Sequence, residues 1–267
     1  MENKSRITFG LYFLLLLLAL SAPSTRAQSA AITDSGHFTI NQGNHPVGRS
    51  EFSIQPIKQG KVTTPSDYSV TSHGTLTLQS TSYSFSATGS LDKDLAILQE
   101  DLNGVVNGSA VTFAVRSSGA NFAIDISASG RSYRNSLNRP AQTVFFPDFD
   151  LSSYDILLAL AAHHPGAPIS ALIPKQSGIL SAATLTPQAD VQATLNGASI
   201  TVHHSSLTIG SVTSDLYYSP TNRILEVDIP SETFAVVHDN FQLQQPPPPP
   251  EAPSNNQQPP TPQNQPQ

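Results

Sequence analysis

Four groups of residues in this 267-residue chain have types and spacings that could carry chemistry. Asp148, Asp150 and Asp155 could form the paired carboxylates of glycoside hydrolysis, where one acid protonates the leaving oxygen and the other attacks or activates water. Their plainer use is at a helix start, where the positive end of the helix dipole stabilises acidic side chains. His163-His164 and His203-His204 are doublets of a metal-ligating type. Neighbours on a helix diverge by about 100° and neighbours on a strand point to opposite faces, so neither doublet supplies two ligands from one element. One histidine from each would have to meet in space beside an aspartate, and no H-x-H or H-x-x-x-H spacing supports that. Ser90-Leu91-Asp92-Lys93 matches S-x-x-K, but its companions S-D-N and K-T-G are absent, as is any G-x-S-x-G elbow. Among 35 serines one chance match to so short a pattern is expected. These residues predict a non-catalytic protein with no metal and no cofactor.

Composition narrows the classes further. The chain has no cysteine, which excludes disulfides, thiolate nucleophiles and Cys-ligated zinc. Its formal charge of -6 argues against nucleic acid, which needs a basic footprint to displace counterions. Serine and threonine together number 57, while only 12% of residues are charged. That balance suits the solvent faces of β-sheet better than helix surfaces, which favour Glu, Lys and Arg.

Both ends differ from the body. Residues 1–27 read as a secretory signal, with Lys4 and Arg6 ahead of a nearly unbroken apolar run from Ile7 to Ala22, then Thr25-Arg26-Ala27 as a cleavage site. The apolar run falls just short of the ~20 residues that span a bilayer, and Pro23 with the small-residue exit favours cleavage over a membrane anchor. No other stretch could cross a membrane, so an exported protein, periplasmic or secreted, is predicted. Removing the segment leaves ten basic and eighteen acidic residues, a net charge of -8. From 244 to 267 ten prolines, interleaved with Gln and Asn, replace all apolar periodicity. This predicts a disordered tail containing a stiff polyproline run, a spacer or a contact arm for an envelope partner.

Between these ends, residues 28–243 read as one mainly-β domain. Phe38 to Asn41 and Phe52 to Gln55 alternate strictly and flank Gly43-Asn44-His45-Pro46, a hairpin signature. Further strands are predicted over Tyr68–Val70, Leu76–Leu78, Tyr83–Ala87, Ala110–Val115 and Phe122–Ile126. In the second half they fall at Ile179–Leu185, Val191–Leu195, Ser199–His203, Leu207–Ile209, Asp215–Tyr218, Ile224–Ile229 and Thr233–Val237. Asn196-Gly197 is the clearest two-residue turn, because both its positions need positive φ. One helix is predicted over 152–163, capped by Ser152 with Asp155 and closed by Pro165-Gly166. From Ile156 to Ala162 it has no polar residue, so it demands burial on all sides. A curved antiparallel sheet, a half-barrel or open barrel, wrapped around one apolar helix meets that demand.

Three features carry a resemblance. The Gly43–Gly48 turn with its Val-Gly, the apolar stretch from Phe145 to Leu160, and the late strand Arg223 to Pro230 resemble a loose group of exported bacterial domains of unknown function. Such domains tend to have Asp-Asn-Asn and His at the helix start, where this chain has Phe146-Pro147-Asp148-Phe149-Asp150. The wrapped helix also looks like periplasmic lipoprotein carriers, whose half-barrels hold acyl chains. The residues themselves point to a module binding an apolar small molecule or lipid in a cleft between sheet and helix. Phe145, Phe146, Phe149, Ile156, Leu157 and Leu160 are the predicted lining. The alternative expectation is an envelope interaction protein using its Pro-rich tail, and a hydrolase is third.

Overall fold

The computed structural model describes residues 32–57, 68–175 and 178–244. The signal-like segment 1–27 and the tail beyond Gln244 lie outside the described residues. The described chain is mostly strand, with one α-helix, α1 (Leu151–His163).

The first eight strands form an up-and-down meander: β1 (Asp34–Gln42), β2 (His45–Pro56), β3 (Tyr68–Thr77), β4 (Ser82–Leu91), β5 (Ile97–Val106), β6 (Ser109–Ser118), β7 (Asn121–Ala128) and β8 (Arg131–Asn138). The short β9 (Thr143–Phe145) precedes the helix and pairs in parallel with β10 (Ile169–Ile173), which follows it. The ladder then runs through β11 (Ile179–Pro187), β13 (Ala198–Ile209), β14 (Val212–Tyr218), β15 (Ile224–Ile229) and β16 (Phe234–His238), and β16 returns to pair with β1. The first strand therefore sits mid-sheet, and β8 and β9 are the edges of this curved, open sheet. β9 packs towards β5 and β6 by side chains instead of ladder bonds, with Phe145 stacked on Phe113 at 5.6 Å.

Local chemistry explains the strands and their turns. Inward positions alternate with polar ones, as at Tyr68, Val70, Ser72 and Leu76 in β3. At Asn196-Gly197 both residues have positive φ, as the predicted tight hairpin requires, and Asn107-Gly108 makes a second turn of the same kind. Curvature has two visible sources. Bulges interrupt the register at Ile40/Asn41, Ser90/Leu91 and Tyr217/Tyr218, and each adds twist and bend. Large side chains also fold over inward-facing glycines: a Cβ on Gly74 would come within 2.5 Å of the Phe85 ring.

Strand boundaries depart from the predicted ones where polar residues break the alternation. Tyr68–Val70 and Leu76 belong to one strand through Thr71-Ser72-His73-Gly74, which ends at Thr77, one residue before the predicted Leu78, and His203-His204-Ser205-Ser206 lies inside the continuous β13. Cross-strand ladders hold those polar stretches extended: Ser72 pairs with Ala87, and His203 with Tyr218. β5, with Glu100 and Asp101 at its centre, and the mostly polar edge β8 show no clean apolar pattern.

The helix is enclosed as its composition demands. Every residue from Leu151 to Leu160 is buried, against β2, β3, β9, β10 and β15. Its cap corrects the predicted one. Asp150, in extended conformation, is the N-cap, and its Oδ1 accepts from Ser152 N at 3.0 Å and Ser152 Oγ at 2.6 Å. Asp155 is already one turn into the helix and faces the opposite way, accepting from the Ile224 amide at 2.7 Å. The physical reason is the geometry of capping: an acceptor must precede the helix to reach its free amides.

A second, smaller core lies on the outside of the sheet. β12 (Val191–Leu195) pairs with the first half of β13 and with β17 (Phe241–Leu243). This three-stranded flap buries Ala193, Val202 and Phe241 against Leu225. Leu225 is the unpaired residue opposite the Tyr217/Tyr218 register shift.

Candidate functional site

The loop 146–149 leads from β9 into the helix and lies at one end of the enclosed core. Pro147 follows Phe146, and Phe149 adopts φ of 62°, a left-handed conformation that a bulky residue rarely holds. The turn is secured from the sheet: Ser50 Oγ donates to the Phe149 carbonyl at 2.8 Å, and the Phe149 ring meets Phe234 edge-on at 5.2 Å. Phe146 packs edge-on against Tyr154 at 4.8 Å. Beside this loop the sheet leaves a cavity of about 460 Å³. Its walls include Leu76 at the end of β3, Ile209 and Val212 around the β13–β14 turn, Ile229 and Phe234. Its volume falls in the range of small-molecule sites, ~300–1,000 Å³.

The cavity is apolar with a few polar groups at defined places. At the mouth Lys175 Nζ pairs with Asp148 Oδ1 at 2.9 Å, both half-exposed, and Glu232 stands on the rim. Inside, Tyr154 and Ser214 are both at least nine-tenths buried, and the Ser214 hydroxyl lies beside that of Tyr154. Burial pushes the Tyr154 phenol upward, and the carboxylates of Asp148, Asp150 and Glu232 push it further, against the opposing effect of Ser214.

Of the six predicted lining residues, Phe146 and Phe149 line this cavity. Phe145, Ile156, Leu157 and Leu160 lie in the closed core, each no more than 5% exposed. These four apolar side chains are enclosed by the sheet, and the larger space opens at the N-terminal end of the helix; a smaller one of about 240 Å³ lies beside Asp155, Ala159 and His163. The strand-end residues Val212, Ile209 and Phe234 were missed. The sequence carried one sign of them, an apolar Val212 directly after the Gly210-Ser211 turn, and the structure leaves that side chain 39% exposed.

The three aspartates are dispersed. Asp148 is at the mouth, Asp150 caps the helix, and Asp155 faces Asp34 at another end of the sheet. Burial first, then a proton shared with Asp34, raises the Asp155 carboxyl well above the usual range. A further buried acid, Glu100 of β5, points inward over Gly89, where a Cβ would strike its carboxyl. Burial pushes Glu100 well above the ordinary carboxylate range, and Asp150 and Asp101 add to this against Arg116. Ser72 Oγ faces Asp150 without completing a hydrogen bond; it is the one buried side-chain polar atom without a partner among the described residues.

The remaining candidates engage local partners. His203 Nδ1 meets Asp190 at 2.9 Å, while His204 Nε2 meets Asp215 at 3.1 Å and its ring stacks on Tyr217. His163 lies in the last turn of the helix, and His164 caps it through its amide, which donates to the Leu160 carbonyl. Lys93 pairs with Asp94, and Asp92 ties the β4–β5 turn by accepting from the amides of Asp94 and Ala96. Among the described residues no group of three or more His, Asp or Glu is placed to hold a metal ion. No described helix is long and apolar enough to cross a membrane.

No protein-family model matches the chain, and no curated protein matches it. It is similar in fold to a solved β-barrel-like protein of domain of unknown function DUF1849 from Brucella abortus. That match has a TM-score of 0.52 and 9% identity and covers 80% of this chain and 97% of that one. A DUF1089 family protein from Pseudomonas aeruginosa matches at a TM-score of 0.40 and 8% identity, over 68% of this chain and 90% of that one. The first likeness establishes a β-barrel-like fold shared with a domain of unknown function; fold by itself does not assign an activity.

Proposed function

We propose that this protein is an exported, non-catalytic module that binds an apolar small molecule or lipid. The observation that carries the reading is the cavity of about 460 Å³ beside the loop 146–149, walled by aromatic and aliphatic side chains. An apolar chain entering it would leave water for a surface that is already formed, gaining about 25 cal/mol for each Å² of apolar area removed from water. The likeness to half-barrel lipoprotein carriers, in which a curved sheet also faces a helix, supports the same class of ligand by analogy. The non-catalytic part of the reading rests on the polar residues themselves. The aspartates and histidines that could do chemistry are engaged as caps, ion pairs or shared-proton contacts.

Native mass spectrometry of the protein purified from an exporting host, with organic extraction of whatever accompanies it, tests this directly. A bound apolar mass that Val212→Glu abolishes is the expected result. A clean protein mass, together with no binding of an environment-sensitive apolar dye, overturns it.

A further inference from the structure

The polar groups of the cavity restrict the ligand further, and this step rests on the reading above. Two features act at different depths. Inside, Tyr154 and Ser214 present adjacent hydroxyls on an otherwise apolar wall. Among the described residues no other side chain bonds to either, so each retains hydrogen-bonding capacity towards the cavity. At the mouth the charges are unequal: Asp148 and Glu232 face Lys175 alone, and Lys175 is already paired with Asp148. Behind the loop, Asp150 adds a third carboxyl. The Lys175–Asp148 pair is neutral overall, so Glu232 on the rim, with the Asp150 carboxyl behind the loop, gives a net negative field at the point where a ligand's polar end meets the hydroxyl pair.

We propose that the cavity takes an uncharged amphiphile, one whose hydroxyl, ester or amide group bonds to Tyr154 and Ser214, and that it rejects fatty-acid-type anions. A neutral head satisfies the hydroxyls without opposing the field. A carboxylate of the same chain length accepts the same hydrogen bonds but sits among like charges in a poorly solvated site, where such repulsion is weakly screened. A plain alkane fills the apolar wall yet leaves the two hydroxyls unpaired, which costs affinity.

Competition against a bound apolar dye, using dodecanol, dodecanoate and dodecane below their aggregation limits, separates these cases. Dodecanol is expected to bind about tenfold more tightly than dodecanoate at neutral pH. Tyr154→Phe, which keeps the ring against Phe146, should weaken dodecanol several-fold and tighten dodecane, since one hydroxyl that the alkane leaves unpaired is gone. Glu232→Gln, an exposed change with no demand on folding, should tighten dodecanoate and leave dodecanol alone. Equal or tighter binding of dodecanoate to the unaltered protein overturns the selectivity while the cavity reading stands. Failure of the dye and of all three competitors to bind overturns the cavity reading itself.

Discussion

The body of helix α1 and the loop that leads into it meet the same sheet but end in opposite packing states. From Leu151 to Leu160 each helical residue is buried, because strands approach from several directions and present large side chains. At the loop 146–149 the opposing strands turn back, and they do so with Gly210, Ser211 and Ser214 facing two phenylalanine rings. Small residues opposite large, fixed rings leave volume that the backbone cannot collapse to fill. Such a region contributes little to stability and is free to serve a ligand.

The sharpest way to break this contrast is a matched pair of truncations. Leu157→Ala, at a side chain only 1% exposed, should cost ~2–5 kcal/mol in urea unfolding, through lost transfer energy and a cavity that cannot close. Val212→Ser at the mouth should change stability by only about 0.5 kcal/mol while weakening binding of an apolar dye. Equal costs at the two positions would erase the distinction between core and cavity.

The buried acids sharpen the comparison through pH. Asp155→Ala should destabilise by roughly 1–3 kcal/mol, since it leaves the Ile224 amide without an acceptor and Asp34 without its proton partner. Asp155→Asn keeps the acceptor and supplies a donor to Asp34, so it should retain most of the stability and flatten its pH dependence. The sign follows from the raised folded-state value. Stability linked to such a proton is complete below the ordinary carboxylate range, near pH ~4, and is lost as pH rises through the raised value. Glu100→Gln obeys the same rule. It should gain roughly 1–3 kcal/mol over the unaltered chain at pH 8, with the advantage vanishing below pH ~4, as read by denaturant unfolding across pH. A gain that persists in acid would place its origin in packing instead.

The smallest effect belongs to the surface. Arg134 and Asp125 pair at 2.8 Å on the edge of the sheet, with Arg134 90% exposed. Arg134→Ala should shift stability by about 0.5 kcal/mol at most, because solvent and side-chain entropy offset an exposed ion pair.

Several elements were legible from residue order because their cause is local. The hairpin at Asn196-Gly197 needs only two residues tolerant of positive φ, and strand β15 coincides with its alternating stretch Ile224–Ile229. The enclosed helix followed from the absence of a polar residue between Ile156 and Ala162. β5 was not legible, because Glu100 occupies an inward position where an apolar residue would mark the pattern. The helix cap was misplaced by two residues because Ser152 and Asp150 carry equally good capping groups, and only the chain's path distinguishes them.

The sequence by itself therefore determined a mainly-β chain folded over one largely buried helix, since periodicity and turn chemistry act between near neighbours. Only the tertiary structure decided that β16 closes on β1 nearly two hundred residues away. The same long-range packing separated Phe146 and Phe149 from Phe145, Ile156, Leu157 and Leu160, and sent three neighbouring aspartates to three different places. The physical reason is that burial rewards any partner surface of suitable shape. Which surface a side chain meets is settled only when segments remote in sequence are packed against one another.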